Sequence, residues 1–152
     1  MIYKNFQDLK NDLPNKGRMI GLDVGSKTIG VAICDDSWMI ASPKTTILRK
    51  SNKDDFAQIK QIIAENKIVA IAIGLPLTMN ALESDMSKFV RRFTENLDEF
   101  LDDGKIIFID ERLTSFEAAE VMREAGTKKN RKKAVIDQIA ASLILQDLIN
   151  NL

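Results

Sequence analysis

Four carboxylates stand where a folding chain has little reason to put them. Asp23 interrupts the apolar run Met19-Ile20-Gly21-Leu22-Asp23-Val24. Asp110 and Glu111 close the run Ile106-Ile107-Phe108-Ile109, and Asp137 falls on the apolar stripe of a C-terminal helical pattern. Burying an unpaired carboxylate costs on the order of several kcal/mol or drives it neutral, so such groups usually have a cation or a donor as partner. Carboxylates at strand ends aimed at one point are what hard ions such as Mg²⁺ require. The chain has no histidine, which removes the commonest general base, the Ser-His and Cys-His nucleophile pairs and most zinc sites. Carboxylate and metal chemistry is the leading option for an enzyme made of these residues.

The elements that must position these acids are legible in outline. With 152 residues, 45% of them hydrophobic, the chain is expected to form one globular domain over residues 18–152. Residues 1–17 read as an irregular lead-in, because Pro14 and Gly17 break regular structure. Arg18 to Val24 and Thr28 to Cys34 read as strands of a hairpin turning at Gly25-Ser26-Lys27. An extended piece from Trp38 to about Ile47 contains Pro43 and suits an edge strand. Ser51 offers an N-cap for a helix from about Asp54 to Asn66. Ile68 to Ile73 is a continuous apolar run, as in a strand covered on both faces. A second helix is expected over about Leu82 to Leu101, burying Met86, Phe89, Val90, Phe93, Leu97 and Phe100. Lys105 to Asp110 makes another strand. Thr114-Ser115-Phe116-Glu117 is a capping-box pattern and Gly126 suits a C′ position. After a basic linker, Ala134 to Asn150 forms the last helix. That order gives an α/β fold with a mixed sheet.

Each acid has a functional and an ordinary reading. Asp23 in Asp-x-Gly either holds a metal or caps its own turn, and Gly25 either admits a phosphate or simply makes the turn. Lys27 is a phosphate contact or a solvated turn lysine. Asp110 and Glu111 point to opposite sides of their strand, so one reaches the site while the other pairs with Arg112 or caps the next helix. Asp137 shares a helix face with Ala140, Ala141, Ile144 and Leu148, and the small alanines let that helix lie close to the sheet. Lys+Arg and Asp+Glu both number 22, so any attraction for a polyanion must be local. The one dense basic run, Lys128-Lys129-Asn130-Arg131-Lys132-Lys133, directly precedes the Asp137 helix and suits a phosphate backbone. Lys88, Arg91 and Arg92 extend that patch or form a helix's wet face. No aromatics interleave with these basic residues, so no base-stacking platform is indicated. Cys34, the single cysteine, reads as a core residue. No apolar stretch approaches the roughly 18 residues that span a bilayer, and the start lacks a secretory pattern. A cytoplasmic protein with no membrane partner is expected.

Four blocks taken in order resemble the YqgF-type family of Holliday junction resolvases, also described as pre-16S rRNA nucleases. They are Gly21-Leu22-Asp23-Val24-Gly25-Ser26-Lys27-Thr28-Ile29-Gly30-Val31-Ala32, Gly74-Leu75-Pro76-Leu77, Asp110-Glu111-Arg112-Leu113-Thr114-Ser115, and Asp137-Gln138-Ile139-Ala140-Ala141-Ser142-Leu143-Ile144-Leu145-Gln146. The resemblance implies a ribonuclease H-like fold with a five-stranded sheet in order 3-2-1-4-5, flanked by helices. It also implies a divalent-metal nuclease whose catalytic and metal-binding acids match Asp23, Glu111 and Asp137. Ala81 departs from the glycine that the family tends to place after Gly-Leu-Pro, which bears on substrate contacts more than on the acids.

The reading that follows is a Mg²⁺- or Mn²⁺-dependent phosphodiesterase, with two metals about 3.5–4 Å apart serving an in-line displacement. Asp23 bridges them, and Glu111 and Asp137 each complete a shell. Gly25 and Gly74 let the backbone approach the strand being cut. Lys27, Arg112, Lys128, Lys129, Arg131, Lys132 and Lys133 are the candidate nucleic-acid contacts. Precursor 16S rRNA, cut near its 5′ end, and a four-way DNA junction both remain open as substrates, because contacts to phosphate carry no base identity; the resemblance favours the RNA. Monomer and homodimer are both open. An ATP-binding phosphotransferase also begins with Asp-x-Gly after a first strand, but that architecture pairs two such domains and 152 residues are too few. A non-catalytic nucleic-acid scaffold is the remaining alternative, since fold alone does not establish activity; the three acids argue against it.

Overall fold

Six strands form one sheet in the computed structural model, which describes residues 1–78, 80, 82–111 and 129–152, the last segment with side chains from 133 onward. The strands are β1 (Ile2–Tyr3), β2 (Arg18–Val24), β3 (Thr28–Cys34), β4 (Ala41–Leu48), β5 (Ile68–Leu75) and β6 (Ile106–Asp110). The described helices are α1 (Phe6–Asp12), α2 (Asn52–Asn66), α3 (Asp85–Leu101) and α4 (Lys129–Asn150). The spatial order is β1-β6-β5-β2-β3-β4. Strands β1, β6, β5 and β2 run parallel, while β3 and β4 are antiparallel additions. From residue 18 onward this is the expected 3-2-1-4-5 arrangement.

The sixth strand corrects the expected sheet and the irregular lead-in. Ile2 and Tyr3 pair with Ile106 and Ile107 at the edge of the sheet. Helix α1 follows, capped by Asn5, whose side chain accepts from the Asp8 N–H at 2.8 Å. Tyr3 and Leu9 are buried in the core, and the Met1 amino group pairs with Asp98. A strand of two residues is too short to show alternation, and it exists only because β6 offers an open edge. Pro14 and Gly17 break the chain only after α1 has ended.

Other boundaries follow local chemistry. Pro43 lies in the opposite edge strand, β4, facing Ala32 beside a register shift, where its missing N–H leaves no central ladder bond unmade. Ser51 caps α2 by accepting from Asp54 N–H at 3.2 Å. Ser84 and Ser87 cap α3 reciprocally at 2.7 and 3.1 Å, so that helix starts later than expected. Phe89 is 37% exposed, a correction to its place on the buried stripe. Val90, Phe93, Thr94, Leu97 and Leu101 define the buried face of α3 instead. Helix α4 begins at Lys129 and takes in positions assigned to a basic linker. The capping-box pattern 114–117 and Gly126, together with Ala81, Arg112 and Lys128, lie outside the described residues.

The sheet separates two cores. Ile20, Leu22, Val24, Ile71 and Ile73 pack under α2 and α3 with Phe56 and Phe93. On the other face Met19, Ala32, Ala70, Ala72, Ile107 and Ile109 pack with Leu9 of α1 and with Ala141, Ile144, Leu145 and Leu148 of α4. Cys34 belongs to this second core; its Sγ accepts from Met19 N–H at 3.2 Å, and burial pushes the thiol pKa up. Coverage on both faces explains why β2 and β5 read as nearly unbroken apolar runs. Among the described residues no helix is long and apolar enough to cross a membrane.

Candidate functional site

Strand alternation decides which acids meet. In β2, Ile20, Leu22 and Val24 face α2 and α3, so Asp23 has the parity of Met19 and faces α4. In β6, Ile107 and Ile109 face α4, and Glu111 continues that alternation one step past the strand end. Glu111 is buried while Asp110 is exposed. The Glu111 N–H donates to Leu75 O at 3.3 Å, which prolongs the β5–β6 pairing and holds the residue in extended geometry. Glu111 is thus the carboxylate of the pair that turns inward.

Strand β5 lies between β2 and β6, so Glu111 must cross it to reach Asp23. It crosses over Gly74. A Cβ on Gly74 would stand 2.6 Å from Glu111 Oε2 and 2.4 Å from Ile144 Cδ1. The missing side chain of Gly74 is thus the slot for Glu111. The Glu111 side chain thereby comes to lie beside Asp23.

Asp137 arrives from the other side. Gly30 of β3 is the register partner of Asp23, and a Cβ there would lie 2.0 Å from the Asp137 carbonyl oxygen. Helix α4 therefore presses its backbone onto the sheet directly beside Asp23. The alanines of α4 signalled this close approach, but the glycine on the sheet is equally required. Thr28 Oγ1 donates to Asp137 Oδ2 at 2.7 Å and orients that carboxylate. Thr28 and Gly30 were both visible in the sequence block around Asp23; nothing in a single chain assigned them to the helix.

The crowding has an electrostatic consequence. Asp23 is pushed from 3.8 up to about 6, first by burial and then by the Asp137 charge, against the lowering effect of the Glu111 hydrogen bond. Among the described residues no three of His, Cys, Asp and Glu stand as a formed metal cage. Asp23 and Glu111 are joined, and Asp137 is turned onto Thr28. The donor chemistry nonetheless fits a hard divalent cation, for the three groups offer oxygen only and carry more negative charge than the site tolerates. These three side chains are the ones that could hold Mg²⁺ or Mn²⁺.

The basic candidates are less gathered. Lys27 is exposed in the β2–β3 turn. Arg112 and Lys128 are outside the described residues. The positions of Lys129, Arg131 and Lys132 begin α4, and Lys133 is exposed one helical turn before Asp137.

Comparison with known proteins shows the family and the fold. A family model described as RuvX, Holliday junction resolvase, matches residues 17–151. A protein of Thermoanaerobacter pseudethanolicus named as a pre-16S rRNA nuclease is 49% identical over 135 residues, covering 88% of this chain and 96% of its own length. One of Cereibacter sphaeroides with the same name is 38% identical over 152 residues, covering 100% of this chain and 94% of its own. Among solved structures, Thermus thermophilus RuvC superposes with a TM-score of 0.54 at 12% identity, over 88% of this chain and 97% of that one. The fowlpox virus Holliday junction resolvase gives 0.50 at 15%, over 89% and 99%. At such identities the two structures share the fold alone.

Proposed function

Because the chain belongs to the RuvX Holliday junction resolvase family, we propose that it is a divalent-metal-dependent nuclease acting at Asp23, Glu111 and Asp137, with the 5′ region of precursor 16S rRNA as its substrate. The observation that carries this reading is the electrostatics of Asp23, a strand carboxylate held at about 6 by burial and by Asp137, with Glu111 beside it. Such a knot of acids is costly to fold without a cation and is suited to binding one.

In this reading Asp23 stands between the other two acids and would hold the divalent ion together with them. Glu111 approaches it across Gly74, and the Asp137 charge acts on it from the helix that rests on Gly30, so each lies on one flank. Thr28 holds the Asp137 carboxylate in one rotamer through its hydroxyl. Bound divalent ions would supply Lewis-acid stabilisation of the phosphate and an acidified water for in-line attack. The substrate is held through its phosphates, by Lys27 and by the basic positions that open α4.

The RNA reading is supported by the names of relatives that align over 88% and 100% of this chain. A four-way DNA junction is the second reading, supported by the description of the matching family. Cleavage of end-labelled precursor rRNA and of a synthetic junction, side by side with Mg²⁺, Mn²⁺ or a chelator, separates them. The expected result is metal-dependent cutting of the RNA; junction cutting alone would transfer the function to DNA, and no cutting of either would overturn the nuclease.

The basic positions give a second expected result. Replacing Lys128, Lys129, Lys132 and Lys133 with alanine should weaken binding to every sequence and flatten the dependence of log affinity on log salt. Each lost phosphate contact removes about 0.7 to 0.9 from that slope. Mn²⁺ affinity should not change. An unaltered slope in fluorescence-anisotropy titrations would reduce the run to a solvated segment.

A further inference from the structure

One arginine outside the acid cluster grips the turn that follows Asp23. Arg49 follows β4, and its backbone N–H donates to Lys27 O at 2.9 Å. Its Nε donates to Asp55 Oδ2 at 3.0 Å, its Nη2 to Asn52 Oδ1 at 2.7 Å and its Nη1 to the Gly25 carbonyl at 3.3 Å. The guanidinium lies over the rings of Phe93 and Phe89, 5.1 and 5.5 Å from their centroids. Asp55 is fully buried in the first turn of α2, and its second oxygen accepts from Lys50 N–H at 3.1 Å. The fork is therefore locked on three sides by acceptors and supported by two aromatic faces.

A buried ion pair is a poor source of net stability, because desolvation offsets most of the attraction. What this one supplies is direction. The planar guanidinium reaches α2 and the β2–β3 turn at once, which the single ammonium of a lysine cannot do. Its target, the Gly25 carbonyl, lies between Asp23 and Thr28, the residue that holds Asp137. The turn closes on itself through Gly25 N–H to Thr28 O at 2.8 Å, so fixing Gly25 against α2 fixes the strand end that bears Asp23 and the one that bears Thr28, the partner of Asp137. The Arg49 side chain is only 12% exposed and directs its donors inward, which does not suit a phosphate contact.

We propose that Arg49 is a positioning residue of the nuclease site, clamping the β2–β3 turn to α2 and α3 so that Asp23 and Asp137 keep their mutual geometry. The proposal rests on the nuclease reading above. The test compares full-length wild type and Arg49→Lys in single-turnover cleavage of precursor rRNA, in substrate affinity and its salt slope with Ca²⁺ replacing the active ion, and in Mn²⁺ titration calorimetry. The cleavage rate should fall roughly 10- to 100-fold, the scale of a small misplacement of reacting groups, with substrate affinity and salt slope unchanged. An unchanged rate overturns the proposal. A weakened affinity with a flatter slope also overturns it, by making Arg49 a phosphate ligand. If Arg49→Lys does not fold, Asp55→Asn carries the same test: its single amide oxygen cannot accept from both Arg49 Nε and Lys50 N–H, so the anchor of the guanidinium on α2 is weakened. If the wild type itself cuts no substrate, the nuclease reading fails, and Mn²⁺ affinity, which needs no substrate, then decides on Arg49. Equal affinity in wild type and variant would remove the positioning role as well.

Discussion

Replacing Asp23 with asparagine is expected to abolish cleavage while making the metal-free protein more stable at neutral pH. Asp23 is held at about 6 in the fold against 3.8 for an ordinary aspartate, by burial and then by Asp137. Since the folded value is the higher one, the favourable contribution of the neutral carboxyl is complete below about pH 4 and is lost as pH rises through about 6. Above that, ionised Asp23 opposes folding by up to about 3 kcal/mol, at roughly 1.4 kcal/mol per pKa unit. Asparagine cannot ionise, so urea midpoints of Asp23→Asn should exceed those of wild type at pH 7.5 and converge with them near pH 3.5. Adding Mn²⁺ should reverse the order, because the ion stabilises only the protein that binds it. Cleavage should drop on the order of 10³-fold or more, as when a group acting at the reacting centre is removed. Equal Mn²⁺ affinity in the two proteins would sink the assignment of Asp23 as a ligand.

Gly30→Ala is expected to be the most damaging single methyl group in the sheet. The added Cβ would meet the Asp137 carbonyl oxygen at 2.0 Å, and a helix backbone cannot rotate away as a side chain can. Helix α4 must lift off β3, opening the core of Ala141, Ile144, Leu145 and Leu148. Overpacking costs about 1–3 kcal/mol where side chains can yield, and more where backbone must move. A loss of about 3 kcal/mol or more in urea unfolding is expected, and the folded fraction should cleave poorly because Asp137 has moved off Asp23. A midpoint equal to that of wild type would show that the helix does not rest on Gly30.

Some of this was legible in the chain because it depends on neighbours in sequence. The apolar runs around Asp23 and before Asp110 marked β2 and β6, Pro43 marked an edge, and Ser51 marked the start of α2. The resemblance of the four blocks carried the strand order and the choice of Asp23, Glu111 and Asp137. Alternation showed that Asp110 and Glu111 diverge, but only the burial of Ile107 and Ile109 against α4 showed which of them turns inward. Phe89 satisfied a helical spacing, yet α3 turns it outward. The basic run read as a linker, although its lysines and arginine are good helix formers, and from Lys129 onward the chain uses them to begin α4.

What the sequence by itself determined is the set of local elements and the types of donor available: oxygen ligands, no imidazole, and glycines beside the acids. What only the tertiary structure decided is which atoms fill the spaces those glycines leave. Gly74 admits Glu111 and Gly30 admits the backbone of α4. Thr28 holds Asp137 across 109 residues of chain, and Arg49, an ordinary basic residue at a strand end, becomes the clamp on the Asp23 turn. The physical reason is range. Periodicity, capping and turn chemistry are set within a few residues, whereas the convergence of the acids depends on close packing between elements distant in the chain, where one methyl group in the wrong place is enough to prevent it.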